Sequence, residues 1–102
     1  MDKIKAENAL KGIPEKSIET AIKILAEFVI NPINHEFENV DYYSIEMRLK
    51  NNIDGLSSGI VKSILIGLYW MGEFQELIGQ MKGPSEFWEI RGHYQNNKEE
   101  KL

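Results

Sequence analysis

The chain has 102 residues, of which 42% are apolar and 27% charged, and it contains no cysteine. This is enough to build one domain with a real core, with no room for a second domain and no disulfide or thiolate metal site. The net charge of −4 is spread evenly: seven basic residues face nine acidic ones up to Lys50, and five face seven beyond it, making up totals of 12 and 16. Neither half is therefore a basic module of the kind that holds nucleic acid through phosphate contacts. Met1 to Gly12 is charged and lacks the apolar run of a signal peptide. The longest apolar stretch, Ile60 to Met71, is interrupted by Lys62 and Ser63 and is too short to cross a bilayer. A cytoplasmic protein with no membrane partner is expected.

Residues 1–12 carry strong helix formers, but Ile4 and Leu10 give only a thin apolar face, so this piece is an N-terminal arm or a short helix. Gly12-Ile13-Pro14 punctuates the chain, and Pro14 suits the first turn of a helix, where its missing N–H costs little. From there to Ile30 the stripe Ile18, Ala21, Ile22, Leu25, Phe28, Val29 keeps helical spacing, and Asn31-Pro32 should end it. Asn31 to Tyr43 has no such stripe and reads as a loop with one short extended piece near Phe37 and Val40. Ser44 is the expected cap of a helix bearing Ile45 and Leu49, which should stop near Asn51-Asn52. Ile53-Asp54-Gly55 then makes a tight turn.

Leu56 to Gly72 is the stretch around which the rest should pack. Ser57 is a good N-cap, Leu56 and Val61 stand at the two positions of a hydrophobic staple, and Gly72 supplies a left-handed stop. Val61, Ile64, Leu65 and Leu68 form its core-facing stripe. After Gly72 two readings compete. Phe74, Leu77, Ile78 and Met81 have helical spacing, but the piece is short and runs into the turn Gly83-Pro84-Ser85 and an aromatic-rich segment, SEFWEIRG. A hairpin, with strands near Phe74 to Gln80 and Glu86 to Arg91, is preferred to a helix. Residues 95–102 are a polar tail expected to fray.

Helix, short strand, helix, turn, helix and hairpin in that order resembles the winged helix domain of bacterial and archaeal transcriptional regulators. The segments YSIEMRLKNNIDGLSSGIVKSILIGLYWMG (43–72) and FQELIGQMKGPSEFWEIR (74–91) carry the resemblance, as a pattern of roles. It implies an α+β fold, a winged helix-turn-helix over residues 13–94 with three or four helices and a C-terminal β-hairpin. It also implies a dimeric regulator that binds double-stranded DNA. The groove-facing candidates are then Ser57, Ser58, Lys62 and Ser63, with Lys82 at the wing tip and Arg48, Lys50 and Arg91 on phosphates.

The chemistry of the second helix points elsewhere. Opposite its core stripe stand Gly59, Ser63, Ile66, Gly67 and Trp70, a face with no base-reading side chain, and Lys62 is the only cation in the helix. Gly59, Ser63 and Gly67 recur every four residues and admit a close neighbour, while Ile66 and Trp70 are bulky apolar anchors. That face suggests, as the alternative to DNA-binding regulation, a protein-interaction module working as a homodimer or with another protein. DNA-binding regulation, which is compatible with dimerisation, stays the preferred expectation. The other reading of the face is a helix buried on both sides by the rest of its own chain.

Catalytic residues, metal ligands and cofactors are not expected. His35, Glu36, Glu38 and Asp41 lie close in sequence but match no metal-ligand spacing, Ser57 and Ser58 lack a His and Asp partnership, and no phosphate-binding glycine string occurs.

Overall fold

A computed structural model of the chain describes residues 2–30 and 41–81. They form five helices: α1 Lys3–Leu10, α2 Glu15–Ile30, α3 Tyr42–Asn52, α4 Ser58–Trp70 and α5 Gln75–Gln80. One hydrophobic cluster joins four of them, with Ala21 and Leu25 from α2, Ile45 and Leu49 from α3, Val61, Ile64, Leu65 and Leu68 from α4, and Leu77 and Ile78 from α5. The valine, leucine and isoleucine side chains among them each stabilise the fold by about 1.5–3 kcal/mol when fully removed from water.

Local chemistry explains most of the boundaries. The carbonyl of Pro14 accepts from the N–H groups of Ser17 and Ile18, so the proline sits at the entry of α2, where its fixed φ fits and no donor is lost. Between α1 and α2, Lys11 (φ −59°, ψ 129°) and Gly12 (φ +80°) make a type II turn that the Ile13 N–H closes on the Leu10 carbonyl at 3.1 Å. Ser57 caps α4 through its hydroxyl, which accepts from the Ile60 N–H at 3.2 Å. At the far end the Glu73 N–H reaches the Leu68 carbonyl at 2.9 Å and the Gly72 N–H reaches Tyr69 at 3.0 Å. With Gly72 at φ +84°, that is a Schellman stop.

Two expectations need correction. The first concerns the start of α3. Its cap is Asp41, whose carboxylate accepts from the Tyr43 N–H at 3.1 Å, and not Ser44. The earlier start puts Tyr42 one turn ahead of Ile45 on the buried face, where its ring is 2% exposed. Asp-Tyr-Tyr, with two aromatics of strand preference, conceals a helix start that the burial of Tyr42 favours.

The second correction removes the expected fold class. Among the described residues there is no strand, and Gln75–Gln80, the proposed first strand of the hairpin, is helix α5. The α+β winged helix with a C-terminal hairpin therefore does not describe this chain. A strand would point Leu77 and Ile78 to opposite sides and leave one of them wet. A helix turns Leu77, Ile78 and the following Met81 toward the same neighbours, and all three are buried. Entry into α5 needs Phe74 in the left-handed region (φ 54°, ψ 31°), a conformation costing about 1–2 kcal/mol for a non-glycine residue. Its carbonyl accepts the first helical bond, from Ile78 at 2.8 Å, and its ring packs against the core. The expected extended piece near Phe37 and Val40, the strand near Glu86 to Arg91 and the polar tail 95–102 lie outside the described residues.

The reassigned cap has a direct consequence. Asp41→Ala should lower stability in urea unfolding by about 1 kcal/mol. Ser44→Ala, within the first turn, should leave it unchanged or raise it by roughly half a kcal/mol. The reverse order would return the cap to Ser44.

Candidate functional site

α3, the turn at Gly55 (φ +72°) and α4 form a helix-turn-helix pair, and their own side chains hold the turn. The Ile53 N–H reaches the Leu49 carbonyl at 2.9 Å, and the Asn52 side-chain amide donates to the Arg48 carbonyl at 2.7 Å. Lys50 spans the turn, donating from Nζ to the Ser58 hydroxyl at 2.7 Å with the Glu46 carboxylate 3.9 Å away. The residue expected on phosphate thus links the last turn of α3 to the first turn of α4.

The other expected DNA contacts are scattered. Arg48 donates to the Glu27 carboxylate of α2, and its guanidinium lies over the Phe28 ring at 5.7 Å. It joins α2 to α3 in an exposed pair of the kind that contributes at most about 1 kcal/mol. Ser57 is committed to capping, Ser58 is exposed, and Lys62 and Ser63 are half-buried. Lys82 and Arg91 lie outside the described residues. Within α4 only Ser58 and Gly59, in its first turn, are exposed, so no long side of this helix stands free for a groove.

α1 covers the carboxyl-terminal end of α4 at Gly67 and Trp70. The Asp2 N–H donates to the Trp70 carbonyl at 2.7 Å, and the Lys5 ammonium sits 4.3 Å from the centre of a Trp70 ring. Trp70 is only 6% exposed, with Tyr69 edge-on to it at 5.6 Å. Leu10 fills the space above Gly67: a Cβ built there would meet Leu10 Cδ2 at 2.5 Å and Cγ closer still. Of the five residues read as a partner-facing surface, Gly67 and Trp70 therefore lie under the chain's own first helix. Ile66 packs half-buried against the core, Ser63 is half-buried, and Gly59 is exposed with only the Ser57 hydroxyl near it.

An apolar surface absent from the sequence-based candidates lies on α3. Tyr43 is 56% exposed and Met47 65% exposed, one turn apart on the side opposite the buried Tyr42, Ile45 and Leu49. The Tyr43 ring stands edge-on to that of Tyr42, with centroids 5.6 Å apart. Ser44, Arg48 and Asn51, all exposed, flank the pair. The i, i+4 spacing of Tyr43 and Met47 was available in the sequence, but it becomes a face only once the helix begins at Tyr42.

Among the described residues no group of three or more His, Asp or Glu side chains could hold a metal ion. Asp41 of the acidic loop is occupied as a cap, and His35, Glu36 and Glu38 lie outside the described residues. No helix among the described residues is long and apolar enough to cross a membrane. Compared with protein-family models, with curated proteins and with solved structures, the chain matches none of them.

The Gly67 notch makes a prediction about sign. In an unobstructed helix interior Gly→Ala adds about 1 kcal/mol of stability, while overfilling a packed contact costs about 1–3 kcal/mol. Gly67→Ala alone should therefore destabilise in urea unfolding. The same change in a Leu10→Ala background, where the obstructing side chain is gone, should stabilise. Equal effects in both backgrounds would mean that Leu10 does not occupy the notch.

Proposed function

We propose that this chain is a non-enzymatic, cytoplasmic protein-interaction module that pairs with a second copy of itself through the outward face of α3. The observation that carries the proposal is the exposure of Tyr43 and Met47 together, one turn apart, on a helix whose inner face is fully buried. A tyrosine and a methionine supply large, adaptable contact area, and Ser44, Arg48 and Asn51 provide the polar rim that such contacts have. One face of one helix meets its own copy most simply about a two-fold axis, which doubles every contact. The acidic balance and the pairing of Arg48 with Glu27 favour a protein partner over nucleic acid.

DNA-binding regulation is the second reading. It is favoured by the helix-turn-helix pair itself and by the open end of that pair, where exposed Ser57 and Ser58 stand beside Lys50. Its weakness is the lack of a free side on α4 beyond the first turn.

Two measurements on the full chain separate these readings. Sedimentation equilibrium at tens of micromolar should show a dimer. Met47→Asp should move the equilibrium to monomer by at least about tenfold in Kd, the scale set by losing one buried apolar anchor, with the helical circular dichroism unchanged. A wild-type monomer at several hundred micromolar would overturn the self-association. A mixed-sequence duplex should not bind near physiological salt. Binding with a steep negative salt slope that Lys50→Glu reduces would put the DNA reading in its place.

A further inference from the structure

We draw no further inference here: the strongest candidate, the exposed amino end of α4 where Ser57, Ser58 and Gly59 stand beside Lys50, is a helix N-terminus with no second observation that points to a ligand.

Discussion

Burial of α4, by its core stripe on one side and by Gly67 and Trp70 under α1 on another, is the constraint on which the other described elements depend. Val61, Ile64, Leu65 and Leu68 turn toward the common core, while Gly67 and Trp70 turn toward α1. A helix as apolar as this one needs covering, and α1, α3 and α5 all pack against it. α1 illustrates the dependence. It has eight residues, only Ala6 among them is fully buried, and Ile4 is 71% exposed. A helix of that length does not persist alone in water. The seat of Leu10 on Gly67, the Asp2 bond to the Trp70 carbonyl and the Lys5 ammonium over the indole hold it in place.

The same demand explains the least favourable backbone feature of the chain. α4 stops at Gly72, and the next apolar residues must return to its flank within a few positions. Gly72 and Phe74 both adopt left-handed backbone to make that reversal. Glycine does so at little cost, whereas phenylalanine does not. Burial of Leu77, Ile78 and Met81 offsets the conformational cost, since each contributes about 1.5–3 kcal/mol on leaving water. The enclosed α4 also bears on function: a helix surrounded by its own chain has its anchors occupied, and the exposed apolar side chains of the pair fall instead on α3.

Where the sequence carries both a stripe and a stop, it was legible. α2 and α4 have full apolar stripes, and Ser57 and Gly72 mark the two ends of α4 in the structure, while the expected stop of α2 at Asn31-Pro32 lies outside the described residues. The start of α3 was hidden because Asp41 and Ser44 are both capable caps three residues apart, and only the burial of Tyr42 decides between them. α5 was hidden because six residues of helical spacing compete with a strong turn signal after them. Its identity depends on what flank of α4 lies bare, which no local pattern contains. Of Gly59, Ser63 and Gly67, whose spacing was read as admitting a neighbouring backbone, Gly59 is exposed and only Gly67 meets a close neighbour. At Gly67 that neighbour is the Leu10 side chain of the same chain. Periodicity can announce a contact without naming its partner. The face of Tyr43 and Met47 escaped for a related reason, since a one-turn spacing has no meaning until the helix that bears it is placed.

Native-state hydrogen exchange read residue by residue tests most directly whether α4 is the element on which the others rest. If it is, the amides of Ile64 to Leu68 are the slowest in the chain and exchange only through global unfolding, while α1 and α5 open at lower free energy and without exposing the core stripe of α4. Slowest exchange in α2 or α3, with α4 opening ahead of them, would contradict the account.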